Sequence, residues 1–171
     1  LDLASNSGSR VTSLTSGDKI VYDETVPTLP TVDISSNNSN GATFAKVGDV
    51  ITISVSASEN IQTPTVTIAG NAAAIATGSN GERVYTATYT MQSSDNTGVI
   101  PFTVDFSDMA NNAGTQVTAV ANDSDGGVTF DKQAPSFTTV TMSSNNSTST
   151  LAIVNDVITL NLTSDEAIKT G

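Results

Sequence analysis

Seventeen Asp and Glu residues stand against six Lys and Arg in this 171-residue chain, so most carboxylates have no base to pair with. His and Cys are both absent, which removes the commonest general base and the strongest nucleophile. What remains is oxygen chemistry. Carboxylates converging beside Asn side chains and backbone carbonyls make a hard-cation environment, and Ca²⁺ takes about six to eight oxygens in flexible geometry. The candidate ligands fall into two groups: Asp23, Glu59, Asp105 and Asp108, then Asp123, Asp125, Asp131 and Glu166. Each group has a plainer reading. Asp108 with Asn112 can simply cap a tight loop through its own backbone. Asp123-Ser-Asp-Gly lacks the remaining ligands of an EF-hand loop. A net charge of −11 also serves solubility, and it excludes nucleic acid as a partner.

The acids recur because the sequence recurs. Asp23-Glu-Thr-Val-Pro returns as Asp131-Lys-Gln-Ala-Pro (131 − 23 = 108), and Ser35-Ser-Asn-Asn-Ser returns as Ser143-Ser-Asn-Asn-Ser at the same offset. Asp49-Val-Ile-Thr-Ile matches Asp156-Val-Ile-Thr-Leu with one residue lost, and Asp2-Leu-Ala-Ser-Asn-Ser-Gly matches Asp108-Met-Ala-Asn-Asn-Ala-Gly. Fixed-period self-similarity marks an array of modules. The period is too long for a helical solenoid unit and suits a small domain that folds alone. The expected organisation is the C-terminal part of one repeat over residues 1–22, a complete repeat over 23–130, and the N-terminal part of another over 131–171. The chain reads as a window of a longer array. The complete repeat alone carries eleven acids against Lys46 and Arg83.

Short alternating runs bounded by Gly, Asn, Asp and Pro predict the elements that position these groups. Val32 and Ile34 mark a first strand; Ile51, Ile53, Val55 and Ala57 a second; Val66 and Ile68 a third; an Ala-rich piece near Ile75 a fourth. Asn80-Gly81 signals a hairpin turn into a fifth strand with Tyr85, Ala87, Tyr89 and Met91. Ile100, Phe102, Val104 and Phe106 make the sixth, and Val117 with Ala119 the seventh. No segment carries a helical stripe. Aromatics are only 5% and Trp is absent, so Val, Ile, Leu and Ala must build the core, as strand packing favours. The fold class is all-β, and seven strands in about 100 residues is an immunoglobulin-like count.

Asp131-Lys-Gln-Ala-Pro, Lys46-Val-Gly-Asp, Ala57-Ser-Glu, Tyr85-Thr-Ala-Thr-Tyr and Asp108-Met-Ala-Asn-Asn-Ala-Gly carry a further signal. Together they resemble the tandem bacterial immunoglobulin-like repeats of large surface adhesins and other secreted proteins. The resemblance covers the whole chain and implies tandem immunoglobulin-like β-sandwiches of about seven strands each, in an extracellular or cell-surface location. It also exposes a departure. Glu24 stands where the pattern has Lys, so that junction differs electrostatically from the next.

Alternation of strand direction fixes the pole at which each loop lies. Glu59, after the second strand, and Asp105 and Asp108, after the sixth, fall at the pole where the chain arrives with Asp23. Asp123, Asp125, Asp131, Asp165 and Glu166 should gather likewise at the next junction. No apolar stretch is long enough to span a bilayer. Lys46 lies in a Lys-Val-Gly-Asp turn, which favours a solvated side chain over an isopeptide bond. The sequons at Asn37 and Asn146 read as loop composition rather than glycosylation sites. A paired-carboxylate hydrolase needs a cleft that shallow junctions do not provide, so no catalysis is expected. The function expected is a stalk or fibre segment of a secreted bacterial protein, an adhesin or an extracellular filament, stiffened by calcium at its junctions. Its partners are neighbouring repeats and, in a filament, identical chains. The alternative is an accessory or carbohydrate-binding module of a secreted polysaccharide-active enzyme. Against it, Tyr85 and Tyr89 alternate with Thr as core residues do.

Overall fold

The computed structural model describes the chain apart from residues 1, 11–12, 14–16, 18–19, 122–126 and 170–171. Every named element among the described residues is a strand: β1 (Thr31–Ser36), β2 (Phe44–Ala45), β3 (Val50–Ile61), β4 (Thr65–Ile68), β5 (Asn71–Ala72), β6 (Ala74–Thr77), β7 (Glu82–Thr90), β8 (Gly98–Val99), β9 (Phe102–Asp105), β10 (Thr129–Phe130), β11 (Phe137–Ser144) and β12 (Ile158–Ser164). The protein is all-β. No helix among these residues is long and apolar enough to cross a membrane.

Strand period explains the layers. Ile51, Ile53, Val55 and Ala57 on β3 are buried while the residues between them are half-buried, because successive side chains leave opposite faces. Antiparallel β1 and β7 flank β3, with Ile34 opposite Ile53 and Val55 opposite Tyr85, and β6 completes a four-stranded sheet. A second sheet, β5-β4-β9, sets Val66 against Val104 and Ile68 against Phe102. The apolar faces of both sheets meet in one core cluster.

The turn from β6 into β7 follows the expected Asn80-Gly81 signal, and Gly81 takes φ +87°. Gly78, at φ +100°, is the tighter requirement: a Cβ there would collide with the Tyr85 ring. The Tyr85 hydroxyl lies 2.9 Å from the Ile61 carbonyl and 2.6 Å from that of Ser79. It thereby ties the buried ring to the turn.

The seventh strand differs from the expectation. Val117 makes only an isolated bridge to Val104, with Ala119 exposed. The closing strand is β10, which pairs parallel to β2 and antiparallel to β8. The reason is side-chain volume: Val128 and Phe130 fill the core at 0% and 1% exposure, which a Val–Ala pair at the rim does not.

The β11–β12 hairpin repeats the register of β1–β3. Val140 faces Leu162 and Met142 faces Leu160, as Val32 faces Val55 and Ile34 faces Ile53. The connecting turns match atom for atom. Asn146 Nδ2 donates to Asp156 as Asn38 Nδ2 donates to Asp49, and Asn145 Oδ1 accepts from Val157 N as Asn37 Oδ1 accepts from Val50 N. Both sequon side chains, Asn37 and Asn146, are therefore engaged within turns. What differs is cover. Val32 and Ile53 are each 1% exposed, whereas Val140 and Leu160 are 59% and 57% exposed.

Candidate metal centre

Asp108 follows β9 at the end of the second sheet, where it bridges to Ile61 at the end of β3. Its carboxylate organises a local turn. Oδ1 accepts from Ala110 N at 2.8 Å and Asn112 N at 2.7 Å, and Oδ2 accepts from Asn112 Nδ2 at 2.8 Å. Asn111 completes the turn at φ +71°, a conformation Asn tolerates better than most residues. Gln62 Nε2 reaches from the other side to Asp108 O and Asn111 Oδ1, both at 2.8 Å. Asn112 Nδ2 also lies 3.1 Å from the Asp23 carbonyl, so the same amide fastens the linker to the loop.

This bracing brings three of the expected ligands together. One carboxylate oxygen each from Asp23, Glu59 and Asp108 lies within 4.8 Å of the others. Asp108 is only 1% exposed; Glu59 is half-buried and Asp23 exposed. Of the roughly four lone-pair sites of a carboxylate, Asp108 has committed three, and Asp23 Oδ1 accepts from Thr25 N. Three carboxylate oxygens this close together form an all-oxygen donor set, the ligand type that hard divalent cations take.

Asp105 stays outside the trio. It is exposed on β9 between inward Val104 and Phe106, and it accepts from Gln116 Nε2 at 2.8 Å. Strand parity places it on the opposite face from its neighbours. Asp131, between β10 and β11, meets Glu166, just after β12. Burial pushes the Glu166 carboxyl up from its ordinary value, and the negative charges of Asp131 and Asp165 push it further. Its Oε1 is buried with no hydrogen-bond partner among the described residues. Asp165 itself is satisfied by Ser136 N at 2.8 Å and Ser136 Oγ at 2.6 Å. Asp123 and Asp125 lie outside the described residues.

Two participants carry little sequence signal. Gln62 braces the Asp108 turn from 46 residues away. Asp95, 6% exposed, accepts from Gln92 N at 2.8 Å, with Asn71 Nδ2 and Tyr89 Oη at 3.2 and 3.3 Å. Nothing in the Gln92–Asp95 spacing signals burial.

A pH dependence follows from the Asp108 turn. Burial alone would raise its pKa, but the Asn112 side chain and the Asn112, Ala110 and Asn111 backbone amides outweigh it and hold the group below its ordinary carboxylate value. A depressed folded-state pKa adds stability that is full above the unfolded value and lost as pH falls through the folded one. Denaturant midpoints should therefore hold above about pH 5 and fall below about pH 4. Asp108→Asn should lower stability at neutral pH and flatten that acid limb. An unchanged acid limb in the variant would remove Asp108 as its source.

Compared with known proteins, the chain matches no family model, no curated protein and no solved structure.

Proposed function

We propose that this chain is a structural segment of a secreted or cell-surface bacterial array, built from tandem immunoglobulin-like sandwiches whose junctions are stiffened by Ca²⁺. The carrying observation is recurrence: the Asp23–Glu59 pair of the first junction has its counterpart, at the repeat spacing, in the Asp131–Glu166 pair of the second. In each pair one carboxylate comes from the linker and the other from the end of a module strand or the turn just after it. A cation held between them couples linker to module. It would also relieve the mutual repulsion of Asp131 and Glu166 and give the orphaned Glu166 Oε1 a partner. The work of such a segment is mechanical: it spaces a terminal domain from the cell, or assembles end to end and side by side with identical chains. It carries out no catalysis on this reading.

The test is X-ray scattering from two tandem copies of residues 23–130 in millimolar calcium and in chelator. Calcium should give the longer maximum dimension and the narrower distribution of shapes, and Asp23→Asn in the second copy should reduce the difference. Identical profiles in the two solutions would return the carboxylates to a solubility role.

A further inference from the structure

The linkers on either side of the complete repeat share one hydrogen-bonding scheme. Thr25 N donates to Asp23 Oδ1 at 2.9 Å, and Gln133 N donates to Asp131 Oδ1 at 2.9 Å. Each Asp thus closes an Asx turn over the residues that follow it. Each Asp is followed at the same distance by a proline, Pro27 and Pro135 (27 − 23 = 4; 135 − 131 = 4). The residue after the proline is then tied forward. Thr28 N donates to Ser58 Oγ at 3.0 Å, and Ser58 N donates to Thr28 O at 2.9 Å. In the second linker Ser136 N donates to Asp165 Oδ1 at 2.8 Å, and Asp165 N donates to Ser136 O at 3.0 Å. Ser58 and Asp165 are themselves one repeat apart (165 − 58 = 107).

Between its Asx turn and its forward tie, each linker has little left to rotate. Proline holds its own φ at about −65°, and it steers the residue before it, Val26 or Ala134, into extended backbone. No glycine lies within either linker. At the first linker the proline ring is also buried. The second linker is tied at its near end as well. Asp131 N donates to Ala45 O at 2.9 Å, and Lys132 Nζ donates to the Ser93 and Asp95 carbonyls at 3.0 and 2.9 Å. An ammonium on two carbonyl oxygens makes charge-assisted bonds, which are stronger than neutral ones. Asp131 and Lys132 therefore hold the module behind, and Ser136 holds the end of β12 ahead. Only Gln133, Ala134 and Pro135 lie between these ties.

We propose that the Asp-x-x-x-Pro linker is a stiff spacer whose own backbone sets the direction from one module to the next, without a bound cation. A glycine–serine segment in its place would move as a random coil. This one presents an Asx turn, an extended residue, a proline and a forward tie in fixed order. The exit of β10 then determines where β11 begins. The inference rests on the tandem-module reading but not on calcium, because proline and these hydrogen bonds act equally in chelator. Calcium at the carboxylates acts on the swing that the spacer leaves.

The test uses the 171-residue chain in chelator. The chain has no Cys, so nitroxides introduced at Thr65→Cys and Asn161→Cys, exposed positions on β4 and β12, report distances across the second linker. The parent should give one narrow distribution. Pro135→Gly should lose that narrow peak, because it frees φ at 135 and the restraint on Ala134 together. Gln133→Gly, Ala134→Gly and Pro135→Gly combined supply a fully flexible reference. Lys132→Met should broaden the peak less than Pro135→Gly, since the Asp131 and Ser136 ties remain. Circular-dichroism melting of Pro135→Gly should stay at the parent value, which separates a loosened linker from an unfolded module. A parent distribution as broad as the triple-glycine reference, or a Pro135→Gly peak as narrow as the parent's, would overturn the proposal. Repeating the parent measurement in millimolar calcium keeps the two readings apart. A peak already narrow in chelator and unmoved by calcium counts for the spacer and against the calcium junction.

Discussion

Phe102→Ala is expected to cost the complete repeat about 3–5 kcal/mol, the range for deleting a buried aromatic side chain. Phe102 is 6% exposed and stands opposite Ile68 across the β4–β9 pair, where the second sheet meets the first. The chain has only five Phe, three Tyr and no Trp, so few side chains are large enough to collapse into the space left. Neighbouring Ile, Val and Ala are short and held by strand backbones that cannot shift independently, which favours the upper half of the range. Phe44→Ala provides the contrast. That ring is 56% exposed, and its removal should cost about 1 kcal/mol or less. Urea unfolding followed by circular dichroism gives the comparison, provided the slopes agree among variants. A Phe102→Ala cost no larger than that of Phe44→Ala would mean that the two sheets do not share a core.

The strands that carry this core were legible because their alternation is strict. Ile51, Ile53, Val55 and Ala57 on β3, and Tyr85 and Ala87 on β7, each face inward as their period of two requires. The closing strand was not. Val128-Thr-Phe130 is too short to establish a period, and it is identified only by the volume it delivers between β2 and β8. Placement of the acids divides along the same line. Asp23, Glu59 and Asp108 were brought to one pole by loop parity, a property of topology that strand count fixes. Asp105 lies apart from these three because it faces away from Val104 and Phe106. The Gln62 brace depends on where a single long side chain reaches in space, and no local pattern encodes that reach.

Calcium should raise the melting temperature of the folded repeat, and this is the second large effect expected. A ligand that binds only the folded state stabilises it by RT ln(1 + [Ca²⁺]/Kd), about 1.4 kcal/mol at tenfold excess over Kd and about 2.7 kcal/mol at a hundredfold. Extracellular modules bind in the range of about 0.1–1 mM, so a few millimolar calcium reaches the lower figure. That corresponds to about 5 °C or more for a domain near this size. Magnesium should do less, since it keeps its waters and demands regular octahedral geometry that a trio with Asp108 already committed to its own turn does not supply. Glu59→Gln should abolish the shift, because it removes a ligand charge without touching the Asp108 turn. Asp105→Asn should leave the shift intact, since its carboxylate is held by Gln116 outside the trio. If both variants responded to calcium like the parent chain, the cation would be binding diffusely to a surface of net charge −11. The convergence of Asp23, Glu59 and Asp108 would then belong to loop architecture alone.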